Sequence, residues 1–184
     1  MNMERENGFT LVELLVTIVV ISILLATGVP SFMEFIKNNR LSAQANNLVI
    51  SIQEARNEAV KRGSGAVICA SSDQATCSGS DNWTTGWIVY SDMGQDGGLD
   101  LDADGNGVQD CVIDDCIVRT NGSIDKATLD GSGTDNIVFQ PDGRISGAAT
   151  TITITADECQ RQQVRAITVT PQGNTIVTKQ DCPP

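Results

Sequence analysis

Six cysteines, a run of aspartates and one glutamate inside an apolar stretch are the residues of this 184-residue chain whose types and spacing could do chemistry. The cysteines, Cys69, Cys77, Cys111, Cys116, Cys159 and Cys182, form an even set in the C-terminal two thirds. The chain has no histidine and no Cys-x-x-Cys pair. Imidazole-ligated zinc, His-based triads and thioredoxin-type redox chemistry are therefore excluded, and disulfides in an oxidising compartment are the expectation. Many connectivities are open to six cysteines. Sequence distance favours Cys69 with Cys77, Cys111 with Cys116 and Cys159 with Cys182, each closing a loop without crossing another.

Eight aspartates, from Asp92 to Asp115, stand in a stretch that contains no Lys or Arg. Within it, Asp100-x-Asp102-x-Asp104-Gly105-Asn106-Gly107 matches the first half of an EF-hand loop, where alternate carboxylates converge on a cation and glycine permits the sharp turn. The twelfth position holds Cys111 in place of a bidentate glutamate, and Asp110 falls one place early. Two readings stay open here. One is a weak calcium site on Asp100, Asp102, Asp104 and Asp110, with the Asn106 carbonyl; the other is a solvated acidic insertion. No cofactor is required under either. The chain carries no G-x-S-x-G elbow and no phosphate-binding Walker A loop, and its carboxylates lack an apolar sugar cleft, so catalysis is not expected.

Lys and Arg total 12 against 23 Asp and Glu, a formal charge of −11, which disfavours a broad polyanion-binding surface. Arg161, Arg165 and Lys179 could form a local basic patch near the carboxyl end, but Arg161 and Arg165 read as solvent-facing charge on a strand edge. DNA is accordingly not an expected partner.

The elements that must position these residues begin with Phe9 to Val29, an apolar segment whose one charge is Glu13. A helix of about 20 such residues crosses a bilayer. An ordinary signal peptide, cut near Ala26-Thr27-Gly28, fits poorly: the leader Glu4-Arg5-Glu6 is net negative, and a carboxylate inside the apolar core is costly. Pro30 weakens or kinks the helix locally. Beyond it, Leu41, Ala45, Leu48, Ile52, Ala55 and Ala59 make a narrow apolar stripe at helical spacing, closed by Lys61, Arg62 and Gly63. From Phe9 to Arg62 the helix would measure about 80 Å. Downstream, β-branched runs alternate with Gly, Asp, Ser and Asn clusters, which predicts strands at 66–70, 86–91, 116–119, 136–140, 150–155, 164–170 and 175–179. Turns are expected at Pro141-Asp142-Gly143 and Pro171-Gln172-Gly173-Asn174. With aromatics at only 4%, the core must be aliphatic and small, and disulfides compensate for it. The fold class is α+β: a long N-terminal transmembrane α-helix packed on a C-terminal antiparallel β-sheet head with disulfides. Its parts are a leader at 1–8, a membrane or filament-core helix at 9–30, an amphipathic head helix at 31–63 and the β-rich head at 64–184.

The string Gly8-Phe9-Thr10-Leu11-Val12-Glu13, with Leu14-Leu15-Val16 behind it, resembles the class III signal of type IV prepilins and type II secretion pseudopilins. The resemblance implies that a prepilin peptidase cuts between Gly8 and Phe9, that Phe9 is then N-methylated, and that Glu13 acts in assembly by pairing with the amino group of a neighbouring subunit. The head, through Ala66-Val67-Ile68-Cys69, Gly86-Trp87-Ile88-Val89-Tyr90 and Ile137-Val138-Phe139-Gln140-Pro141-Asp142-Gly143-Arg144, is similar to the FimU/FimT minor pilins and the H-type minor pseudopilin, most of all to FimU. Membership implies a structural subunit that helps initiate pilus assembly near the tip. It would work with other minor and major pilins and an inner-membrane assembly platform. It would stand in the inner membrane by a single pass with a periplasmic head, and then in the extracellular pilus. Two alternatives are a DNA-binding FimT-like pilin and an H-type pseudopilin of a type II secretion system. The FimT-type Gly-Arg-x-Arg motif reads Gly173-Asn174-Thr175-Ile176 here, without either arginine.

Overall fold

The computed structural model describes residues 9–102, 105 and 110–183. The chain divides into two compact units, Met1–Asn39 and Arg40–Pro184. Helix α1 (Leu11–Arg62) runs through both. In the first unit every described side chain from Phe9 to Val29 is exposed, and this part of the helix is long and apolar enough to cross a membrane. In the second unit the helix turns its stripe inward: Leu41, Ala45, Leu48, Ile52, Ala55 and Ala59 are all buried. The helix ends at Gly63, whose φ of +67° is the left-handed C-cap conformation and whose N–H donates to the Ala59 carbonyl at 2.9 Å.

Eight strands follow among the described residues. They are β1 (Gly65–Ala70), β2 (Trp87–Asp92), β3 (Cys116–Asn121), β4 (Ala127–Asp130), β5 (Asn136–Phe139), β6 (Thr150–Ala156), β7 (Val164–Val169) and β8 (Thr175–Gln180). They form two antiparallel sheets, one ordered β3-β2-β1-β5 and the other β4-β6-β7-β8. Alternation along each strand decides what meets the helix. Ala66, Ile68 and Ala70 of β1, Trp87 and Val89 of β2, and Ile152, Ile154, Ile167 and Val169 of the second sheet join the helix stripe in one core. The opposite face of the first sheet makes a smaller cluster of Val67, Cys69, Ile88 and Tyr90, over which Leu99 packs. Both faces of β1 and β2 are therefore buried, and the sequence reads as an unbroken apolar run along β1 and along β2 as far as Tyr90.

Strand β4 and the short 3₁₀ turn Trp83–Thr85 have no counterpart in the sequence-based expectation. The Ala127–Asp130 segment offers one large apolar side chain, Leu129, and too few residues for a periodic signal. Its place is set from outside, by pairing with β6 and by Thr84, whose hydroxyl accepts from Leu129 N–H at 2.9 Å.

Arg56, beside the stripe, ties two turns together. Its Nε donates to the Gly143 carbonyl at 3.0 Å and its Nη2 to the Gln172 carbonyl at 3.2 Å. Gly143 and Gly173 both have φ of +78°, and a Cβ on Gly173 would sit 2.1 Å from the Gly143 carbonyl oxygen and 3.0 Å from Arg56 Nε. Because that obstacle is backbone, Gly173→Ala combines left-handed strain with a steric clash and should cost about 3 kcal/mol or more. In melts of the detergent-solubilised chain, Gly173→Ala should lose far more stability than Gly133→Ala. The latter shares a positive φ, +87°, but has nothing within 4 Å of the added carbon.

Candidate assembly site

The amino end of α1 carries its chemistry in four residues. Thr10 precedes the helix, and its hydroxyl accepts from the Glu13 N–H at 3.2 Å. The Glu13 carboxylate reaches back to accept from the Thr10 N–H and the Thr10 hydroxyl, each at 3.0 Å. This is a reciprocal capping box, with the carboxylate at the positive end of the helix dipole. The signal, Thr-x-x-Glu ahead of an apolar run, is present in the sequence, yet reading Glu13 only as a buried charge in need of an external partner passes over it. Phe9 lies just outside the cap and is 85% exposed. Gly8 lies outside the described residues.

Disulfides join Cys69 to Cys77, Cys111 to Cys116 and Cys159 to Cys182, with Cα–Cα separations of 5.6, 5.4 and 5.8 Å. The first ties the segment after β1 to its own strand, and the second closes the short turn that leads into β3. The third joins the β6–β7 connection to the chain after β8.

The acidic loop is built on aspartates that composition alone does not single out. Asp92, Asp114 and Asp115 are buried. Asp92 accepts from the N–H groups of Asp96 and Gly97, at 3.2 and 3.0 Å. Asp114 accepts from Asp110 N–H at 2.5 Å. Asp115 takes Met93 N–H at 2.7 Å and Asp100 N–H at 2.8 Å, one on each oxygen. Three carboxylates thus supply the acceptors that a strand-to-strand connection without regular structure would otherwise lack. Of the residues expected to hold calcium, Asp100 accepts from Asp102 N–H at 3.1 Å and Asp110 from Val112 N–H at 3.0 Å. Asp104 and Asn106 lie outside the described residues. Among the described residues no group of three potential ligands is arranged to hold a metal ion.

Arg165 is not solvent-facing strand-edge charge. It is buried, and its Nη1 donates to the carbonyls of Gln162 and Val164, both at 2.9 Å. It stands on β7 opposite Ile154 of β6, on the face that meets the core, and desolvation lowers the pKa of its guanidinium. Arg161 is exposed in the turn before β7. The three cations of the expected patch therefore do not present a common basic surface.

A capped, wholly exposed apolar helix followed by a disulfide-tied head of two sheets on an amphipathic helix defines a pilin-class subunit, which is anchored by its first segment and built to assemble. The family profile described as type II transport protein GspH matches residues 44–173, and that described as the prokaryotic N-terminal methylation motif matches residues 3–29. The chain belongs to this GspH family of minor pilins and pseudopilins, whose role is structural. No curated protein matches it. Its fold is similar to that of the Pseudomonas aeruginosa type IV minor pilin FimU in two crystal forms. One matches at 18% identity and a TM-score of 0.52 over 74% of this chain and 91% of that one. The other matches at 20% identity and a TM-score of 0.54 over 78% and 92%.

The buried Asp115 carboxylate makes stability depend on pH. Burial holds the Asp115 carboxyl above its ordinary range, against the two N–H groups it accepts from and with the charges of Asp92 and Asp96 adding to the rise. A group whose folded pKa is raised favours folding below its unfolded pKa, and loses that contribution as pH rises through the folded value. Melting temperature should therefore increase as pH falls toward the ordinary aspartate value of about 4. The gain should shrink in Asp115→Asn. Asp73, held low chiefly by the Ala75 N–H and the Thr76 hydroxyl and N–H, acts oppositely, but only below about pH 4, where its unfolded form takes up a proton.

Proposed function

We propose that this chain is a minor type IV pilin of FimU kind that takes part in initiating pilus assembly and sits near the pilus tip. It enters the inner membrane as a prepilin with a periplasmic head, is cut between Gly8 and Phe9 by a prepilin peptidase, and is N-methylated at Phe9. An inner-membrane assembly platform then packs it among other minor and major pilins. The observation that carries this reading is the apolar segment from Phe9 to Val29, exposed along its whole described length and headed by Glu13. Such a surface is stable only in lipid or against the same segment of other subunits. In the filament, Glu13 would accept the cationic amino group of a neighbouring subunit in place of, or beside, its Thr10 cap.

Intact-mass measurement of the subunit recovered from sheared filaments should give a chain beginning at N-methylated Phe9. Glu13→Ala should leave the head folded and processed but reduce its incorporation about tenfold or more, as expected for removing one partner of a buried charge pair. Incorporation at the wild-type level would defeat the proposed pairing.

A second reading, an H-type pseudopilin of a type II secretion system, is favoured by the profile match over residues 44–173. Deleting the gene separates the two: loss of surface pili supports the first reading, and loss of exoprotein secretion with pili intact supports the second. DNA uptake finds less support, since Arg165 is withdrawn into the sheet.

Weak calcium binding by the loop of Asp100, Asp102, Asp104 and Asp110 is proposed from the alternation of carboxylates alone, with affinity near the extracellular end of the range, about 10⁻⁴ to 10⁻³ M. It requires a saturable rise in melting temperature with calcium that magnesium does not reproduce and Asp102→Asn diminishes. Identical melts in millimolar calcium and in chelator would remove the metal from this account.

A further inference from the structure

The turn from Asp110 to Cys116 presents two aliphatic side chains to water on a main chain that is held at many points. Val112 is 73% exposed and Ile113 48%. The Asp110 carbonyl accepts from the N–H groups of Ile113 at 3.0 Å and Asp114 at 2.7 Å. The Asp110 carboxylate caps Val112 N–H, and the buried Asp114 carboxylate takes Asp110 N–H. The disulfide between Cys111 and Cys116 closes the turn, and Arg62 of α1, itself held by Glu58, donates to the Cys111 carbonyl. Exposed turns of small domains are ordinarily polar. This one is fixed by a covalent bond, two side-chain caps and an arginine tether while leaving a valine and an isoleucine uncovered. Rigid presentation of apolar side chains lowers the ordering cost of binding.

The charges around the pair indicate what would cover it. Asp96, Asp100, Asp102 and Asp110 are exposed on the same connection, and no Lys or Arg lies between Asp92 and Asp115. The nearby cations, Arg62 and Lys61, are engaged by Glu58. An anionic membrane surface would be repelled. An apolar recess bordered by Lys or Arg would be complementary in both shape and sign.

We propose that Val112 and Ile113 form a docking knob for the head of a neighbouring pilin-class subunit, one that offers an apolar recess rimmed by Lys or Arg. This rests on the assembly role proposed above, and its test keeps the two apart. A photo-crosslinking residue at position 112 of the full-length chain, in cells assembling filaments, should give an adduct with another subunit that carries the N-terminal methylation motif. The same residue at exposed Ser132 should not. In membranes isolated from those cells, the adduct should weaken as salt is raised from about 0.1 M to about 1 M, where the screening length falls from about 10 to about 3 Å. The double variant Val112→Asp/Ile113→Asp should melt like wild type yet enter filaments about tenfold less, in the range of losing a small interface anchor. Val112→Ser/Ile113→Thr, which adds no charge, should reduce entry in the same direction. Wild-type entry of both variants, together with no subunit adduct at position 112, overturns the knob even where Glu13→Ala blocks assembly. Unimpaired entry of Glu13→Ala bears instead on the assembly reading.

Discussion

The single core that the head helix shares with both sheets is the constraint on which the rest of the head depends. Half of the six buried positions on the helix stripe are alanine, at Ala45, Ala55 and Ala59, and β1 adds two more alanines, Ala66 and Ala70, to the same core. With so many small residues in it, this core takes its volume from larger ones such as Leu48, Ile52, Trp83 and Trp87. The seam also places the polar residues that flank it. Glu54 reaches Arg119 of β3 at 2.8 Å, Arg56 reaches the turns at Gly143 and Gln172, and Arg62 reaches the Cys111 carbonyl. Three parts of the head distant in sequence are thereby referenced to one rigid element.

The second organising feature is how the chain handles its negative charge. With a formal charge of −11 and few cations, it cannot neutralise its carboxylates by ion pairing alone. It turns several of them onto backbone N–H groups, at Asp73, Asp92, Asp114 and Asp115, where the acid serves as the acceptor an irregular connection needs. Tyr90 shares this environment: its hydroxyl donates to the Gly97 carbonyl at 2.9 Å, and burial, with the nearby carboxylates of Asp92, Asp115 and Asp96, raises its pKa well above that of a free phenol. Acidity here is structural before it is a property of the surface.

What was legible in the sequence follows from how local its cause is. The helix stripe from Leu41 to Ala59 could be read because period 3.6 is a property of adjacent turns, and β6, β7 and β8 because their β-branched runs are bounded by turn residues. β4 was not legible: four residues with one large apolar side chain carry no period, and its pairing with β6 is decided by a partner more than 20 residues away. Arg165 misled for a related reason. Its neighbours suggest an exposed strand edge, but β7 lies between β6 and β8, and the carbonyls that take up its guanidinium are its own local backbone. The loop aspartates were visible as charge, but only the fold separates those that build the connection from those left at its surface. Thr10 with Glu13 was local and legible in principle; the pattern was overlooked because the carboxylate stood inside an apolar run.

The bond between Cys159 and Cys182 gives the last strand an unusual status. β8 is an edge strand, joined to β7 by the turn through Pro171 to Asn174 and fastened at its far end to the connection that precedes β7. The hairpin and the disulfide make a closed covalent ring, so β8 has no loose end from which to peel. Subunits of this kind could not trade β8 with one another by strand exchange, and tension applied at the carboxyl terminus would pass into the ring as a whole instead of opening it one hydrogen bond at a time.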